Sequence, residues 1–301
     1  MSHQYWNDWS RTVAAGLVFL GAALGPASAA ADQSLGTAES FAVLGHTTVT
    51  NTGATTIDGD VGLHAGTSIT GSGTISLIGA SAYEIDNAVA LTALTDATTA
   101  FNDLAALPSS MSLTGKDLGT VGVLTPGVYS FSSTAQLTGT LTLNFGGGSD
   151  EEFVFQIGKT LTTASASDVI IENGNSTDGV YWEVGSSATL GTTTDFAGNI
   201  IAGVSISLDT GAEILCGRAI ALTGAVTMEG NTISNDCSNY NAGTTRTDYG
   251  STGFSGVSST STGSSGVSST TKVPEPASLA LLGIGLAGLG LSGMRRRNRK
   301  A

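Results

Sequence analysis

The feature that most constrains this chain is a short alternation of apolar and hydroxyl side chains, repeated many times without hairpin signals. In "AQLTGTLTLNF", "FVFQIGKTLTTAS", "VSISLDTGAEI" and "GAVTMEGNTI", a Leu, Ile, Val or Met stands beside Thr or Ser. Successive side chains of a strand point to opposite faces, so each stretch reads as a strand with one face buried and one wet. The strands recur roughly every 8–12 residues, too closely and evenly for alternating strands and helices. That spacing suits a sandwich, a barrel or a β-helix. Asn-Gly, the strongest short hairpin signal, occurs in the core once, at Asn173-Gly174. The scarcity of hairpin turns favours a β-helix, whose coils stack about 4.7–4.9 Å apart. Charged residues make up only 12% of the chain, which leaves long hydroxyl-bearing faces unbroken.

One segment departs from this pattern. Ala90, Leu94, Ala97, Phe101 and Leu104 recur at helical spacing, and Pro108 ends the run. Ser81 and Glu84 have the spacing of a capping box ahead of it. Asp86, Thr92, Asp96, Thr99 and Asp103 fall on the opposite face. This helix is expected to lie on a surface and cover something apolar.

The two ends read as addresses. Arg11, an apolar run from Val13 to Leu24, and Ala27-Ser28-Ala29 form an export signal over residues 1–29. The folded core is expected over 33–237, with a flexible Ser/Thr/Gly-rich linker over 238–272. Residues 273–301 combine Pro274-Glu275-Pro276, an apolar run from Ala277 to Met294, and the basic tail Arg295 to Lys300. This order resembles the PEP-CTERM sorting signal, which implies processing by an exosortase-type membrane protease. A plain membrane anchor is the alternative, since the apolar run is just long enough to span a bilayer. Both place the protein outside the cytoplasm, at the cell envelope or surface.

Charge narrows the partners. Between Asp32 and Lys272 there are 22 acidic and 5 basic residues. Such a surface repels phosphate backbones and excludes nucleic acid as a partner. The two cysteines, Cys216 and Cys237, lie in the exported part, where one disulfide is the natural reading and two free thiols the alternative.

Several stretches carry a further resemblance: "LGTAESFAVLGHTTVTNTGATTIDGDVGL" (35–63), "LTPGVYSFSSTAQLTGTLTLNF" (124–145), "FVFQIGKTLTTASASDVII" (153–171) and "VYWEVGSSATLGTTTDFAGNIIAG" onward (180–233). They resemble the microbial β-helix ice-binding protein family. The resemblance implies an all-β-dominated fold, a right-handed discontinuous β-helix of triangular section with one long α-helix packed alongside. The early coils would sit next to the late ones. It also implies a binding protein that needs no cofactor, with ice and its surface water as partner. An envelope protein held in an exopolysaccharide matrix is the competing reading.

Ice binding calls for a flat face of short, stiff side chains. Thr supplies a hydroxyl, a methyl and a restricted χ1. Eight outward positions beside inward apolar residues are the candidates: Thr140, Thr142, Thr160, Thr162, Thr189, Ser205, Ser207 and Thr227. Thr52-Gly53-Ala54-Thr55 matches a motif used by some family members, whereas Lys159 and Asp209 lie near the proposed ladder and count against it. Enzyme chemistry has weak footing. Asp58 and Asp60 are spaced to share a strand face, but no basic partner is near in sequence. Asp150-Glu151-Glu152 read as a solvated turn. The usual hydrolase motifs are missing, and His46 and His64 are the only core histidines, so no catalytic or metal-binding set is expected. Tyr181 and Trp182 read as core.

Overall fold

The computed structural model describes residues 34–236. A 3-10 turn at Gly36–Ser40 leads into β1 (Phe41–Gly45), β2 (Thr48–Thr52) and β3 (Thr55–Asp58), which make one coil. β4 (Asp60–Leu63), β5 (Ile69–Thr70) and β6 (Ile75–Ile78) make the next, and β7 (Tyr83–Ile85) runs into α1 (Ala88–Ala106). The chain then begins a second stack with β8 (Met111–Ser112) and β9 (Val123–Leu124). Three-strand coils follow: β10 (Gly127–Phe131), β11 (Ala135–Leu137) and β12 (Thr140–Asn144), then β13 (Glu152–Ile157), β14 (Leu161–Thr163) and β15 (Asp168–Glu172). The last coils are built from β16 (Gly179–Val184), β17 (Ala188–Leu190), β18 (Asp195–Ala202), β19 (Ile206–Leu208), β20 (Glu213–Ala221), β21 (Ala225–Glu229) and β22 (Thr232–Ser234).

Successive coils pair in parallel, β10 with β13, β13 with β16, and β16 with β18. β18 and β20 each serve two sides. The Asp195 end of β18 pairs with β15, and its Asn199–Ala202 end pairs with β16. Between them the register shifts at Ala197/Gly198, where Gly198 has φ +100°. A Cβ on Gly217, the next coil's counterpart, would stand 1.9 Å from the Gly198 carbonyl oxygen. The corner therefore demands glycine. The closing coil of β20, β21 and β22 stacks directly on the opening coil of β1, β2 and β3. The molecule is a discontinuous parallel β-helix whose first coils lie beside its last.

The interior is a column of aliphatic and aromatic side chains. Tyr129, Phe155 and Trp182 occupy matching register positions and stack, Phe155 on Trp182 at 4.0 Å and 9°. The Trp182 indole donates to the Ala197 carbonyl at 3.0 Å, so its one polar group is satisfied inside the core. Tyr181 faces the other way and is buried beneath α1 with Val154, Ile201, Ile220, Phe41 and Leu44. The face of α1 over them is Ala90, Ala93, Leu94, Ala97, Ala100 and Leu104. Small alanines let the helix approach closely. Gln156 ties its end by donating from Nε2 to the Leu104 and Leu107 carbonyls at 2.7 and 2.8 Å.

The helix starts later than the capping-box spacing predicts. Asn87 is the N-cap and accepts from the Ala90 amide at 3.0 Å. Ser81 instead bridges Ile78 and Gly59, and Glu84 lies in β7, accepting from the Asn87 side chain. β7 pairs with β4 as a further strand, so tertiary pairing overrides the local signal. Of the opposite face, Asp96 is not free. It accepts from the Thr37 amide and hydroxyl at 2.8 and 2.7 Å.

One turn expectation also changes. Asp150 and Glu151 stay in the turn, but Glu152 opens β13 and is buried. Cys216 is fully buried and disulfide-bonded, and Cys237, the only other cysteine, lies outside the described residues. The export signal, linker and sorting signal also lie outside them. Among the described residues no helix is long and apolar enough to cross a membrane.

Candidate functional site

One side of the solenoid is a seven-stranded sheet ordered β11-β14-β17-β19-β21-β2-β5. Its register places Gln136, Thr162, Thr189, Ser207, Thr227, Thr50 and Thr70 opposite one another in a single row. Neighbours in such a row stand about 4.7–4.9 Å apart. Directly beneath run Leu161, Ala188, Ile206, Val226, Val49 and Ile69, all buried. The hydroxyls of Thr50, Thr70, Thr162, Thr189, Ser207 and Thr227 make no hydrogen bond with other described residues. No member of the row is charged.

Four of the eight sequence candidates sit in this row: Thr162, Thr189, Ser207 and Thr227. Thr160 and Ser205 lie at its border, just before β14 and β19. The Thr160 carbonyl accepts from Ala135, and the Ser205 hydroxyl accepts from the Ala225 amide at 3.1 Å. Ser205 is thus engaged in turning the corner. Thr140 and Thr142 are on a different side. They belong to β12, which pairs with β15 and β9 in the larger sheet. Gly139, with φ +80°, turns the chain between β11 and β12. The Thr-Leu-Thr-Leu alternation continues through the corner, so periodicity alone cannot register the change of side.

That third side has a different chemistry. Its row runs Thr140, Asp168, Asp195, Glu213, Thr232, Thr56 and Ser76. Three carboxylates in succession give this side a negative field, unlike the uncharged hydroxyl row. Lys159 and Asp209, expected near the ladder, flank the hydroxyl row. Lys159 precedes β14 and Asp209 follows β19. Glu229 ends β21 and accepts from the Thr210 hydroxyl at 3.1 Å.

Sequence reasoning missed Thr50, Thr70 and Gln136. Val49 and Ile69 are visible as inward residues, so Thr50 and Thr70 could have been named as outward. Nothing local shows that their coils join the late ones. In the Thr52-Gly53-Ala54-Thr55 motif the first three residues are exposed, but Thr55 turns inward and does not join the row. Gly53 has φ +77°, and Thr55 is buried, donating to Asn51 at 2.6 Å and accepting from the Asn231 amide at 3.1 Å. It is a corner that anchors the end of the row.

Asp58 and Asp60 straddle Gly59, which has φ +123°, and so end up on consecutive strands. They line a cleft of about 430 Å³ with Glu39, Asp236 and Arg218, the basic partner that is distant in sequence. Burial, and then the nearby Asp236, push the Asp58 carboxyl above its usual range. The guanidinium is not poised for chemistry. It is buried and donates twice to the Glu39 carbonyl, at 3.1 and 2.6 Å, and once to Asn199 at 2.8 Å. Burial lowers its pKa to about 10, with Glu39 and Tyr181 acting in the opposite direction. Arg218 fastens the N-terminal turn to the closing coils. Among the described residues no group of three or more His, Cys, Asp or Glu is arranged to hold a metal.

The fold and its row define a class: a β-helix with one uncharged hydroxyl face, one acidic face and one helix-covered face. The ice-binding-like family model matches residues 43–234, and the chain belongs to that family. An ice-binding protein of Nostoc sp. (strain HG1) is 46% identical over 275 residues, covering 91% of each chain. The crystal structure of an ice-binding protein from an Antarctic biological consortium is 44% identical, with a TM-score of 0.63 over 68% of this chain and 91% of that one. The ice-binding protein of the Antarctic ascomycete Antarctomyces psychrotrophicus is 38% identical, with a TM-score of 0.62 over 68% and 98%. A PEP-CTERM protein-sorting motif matches residues 272–297.

Proposed function

We propose that this chain adsorbs to ice through the seven-stranded face, as an exported protein with antifreeze or recrystallisation-inhibiting activity. The observation that carries the reading is the uncharged row from Gln136 to Thr70, held in register over a buried apolar floor. Each Thr offers a hydroxyl to tether water and a methyl to order it. Its side chain is already stiff, so docking costs little rotamer entropy. The relatives named as ice-binding proteins support the same reading. The PEP-CTERM match supports export, processing by an exosortase-type enzyme, and retention at the surface.

The test is to grow an ice crystal in the presence of the chain. Shaped facets and a gap between melting and freezing are expected, and both should be lost in Thr162→Tyr and Thr189→Tyr. Round crystals and unslowed recrystallisation from folded wild-type protein would overturn the reading.

A further inference from the structure

The helix-bearing side carries a second polar feature, away from the hydroxyl row. Ser112, Ser130, Gln156 and Glu183 stand in register across β8, β10, β13 and β16. With Thr114, Ser132 and Gly158 they line a groove of about 460 Å³ beside the end of α1. That volume falls in the range of about 300–1,000 Å³ usual for small-ligand sites. The row stops at Glu183, because the next register position is the buried Ile201.

Among the described residues, two acceptors in this groove have no hydrogen-bond donor. Glu183 is only 7% exposed, and its carboxyl makes no hydrogen bond with any described residue. Gln156 spends Nε2 on two helix carbonyls, which leaves Oε1 without a protein donor. Neither oxygen is among the fully buried unpartnered atoms, so both open into the groove, where a ligand hydroxyl can reach them. Next to these acceptors are the hydroxyls of Ser112, Thr114, Ser130 and Ser132, which bond mainly among themselves and with Ser109. Gly158 lets the backbone pass close to the Phe131 and Ser132 carbonyls, which a Cβ there would approach to 3.2 and 3.3 Å.

We propose that this groove binds a neutral saccharide, with the Glu183 carboxyl and Gln156 Oε1 receiving its hydroxyl protons. A hydroxyl-rich ligand matches a wall of short hydroxyls and two unmet acceptors. A multivalent cation fits less well, since one carboxyl supplies too little charge. Burial pushes the Glu183 carboxyl up to about 7, which favours an uncharged ligand near neutral pH.

The test is an array of immobilised neutral glycans (glucans, mannans and galactans) probed with the intact chain. Retention on at least one glycan is expected. Glu183→Ala should weaken it about tenfold, the loss of one good hydrogen bond to a buried group. Ser132→Trp should abolish it by filling the groove from an exposed position, with thermal stability and ice shaping unchanged. That control separates failure here from failure of the ice-binding reading. The proposal is overturned if no neutral glycan retains the chain, or if both variants bind like wild type. Calcium chloride, rather than a glycan, shifting the amide resonances of Ser130 and Gln156 would also overturn it.

Discussion

Thr50 stands directly opposite Thr227 in parallel register, although one belongs to the first coil of the chain and the other to the last. Their pairing makes one continuous row from two distant pieces of sequence.

The first prediction follows from that continuity. Thr50→Tyr should reduce ice shaping as severely as Thr189→Tyr, because both place a bulky ring in the same row. Thr142→Tyr, on the acidic side, should leave the freezing gap unchanged. Comparing the three gaps at equal protein concentration checks the face, and equal losses in all three would rule it out.

The core beneath the row should behave as one packed column. Trp182→Ala removes a stacked ring and an indole satisfied by the Ala197 carbonyl. A loss of about 3–5 kcal/mol is expected in urea unfolding. A loss below about 1 kcal/mol would mean that the column relaxes around the gap.

The helix start offers a sharper local test. Asn87→Ala should cost about 1 kcal/mol and raise hydrogen exchange at the amides of Val89 and Ala90. Ser81→Ala should leave those amides protected and loosen the Ile78–Gly59 contact instead. The opposite result would restore Ser81 as the cap.

Glu183 should impose a pH dependence on stability. Its folded-state pKa, about 7, lies above the ordinary glutamate value of 4.5. A carboxyl with a raised pKa contributes fully below its unfolded value and loses that contribution as pH rises through the folded value. Wild type should therefore fall in thermal midpoint relative to Glu183→Gln between about pH 4.5 and 7, and the two should run parallel below that window. Parallel curves across the whole range would show that the carboxyl is better solvated than its burial implies.

The sequence shows strands wherever an inward Leu, Ile or Val alternates with Thr or Ser, because that signal is local. It shows the buried face of α1 for the same reason, and Tyr181 and Trp182 as core. It cannot show where the chain turns from one side of the triangle to the next. Thr140 and Thr162 have indistinguishable neighbours, yet Gly139 sends one to the acidic side. Arg218 lies far from Asp60 in sequence, and only the stacking of the closing coil on the opening one brings both to the same cleft. The start of α1 does not follow the capping pattern because β7 pairs with β4, an interaction between strands that no capping pattern contains.

The stacking of the closing coil on the opening one also sets an order in time. As the chain emerges from its N-terminus, β1 and β2 appear first but lack their neighbours β20 and β21 until almost the whole domain has followed. Contacts so distant in sequence must close a long loop before they repay its entropy. The hydroxyl row therefore stays in two halves until the last coil arrives, and a chain cut short before Ala225 would leave Thr50 and Thr70 cut off from the rest of the row.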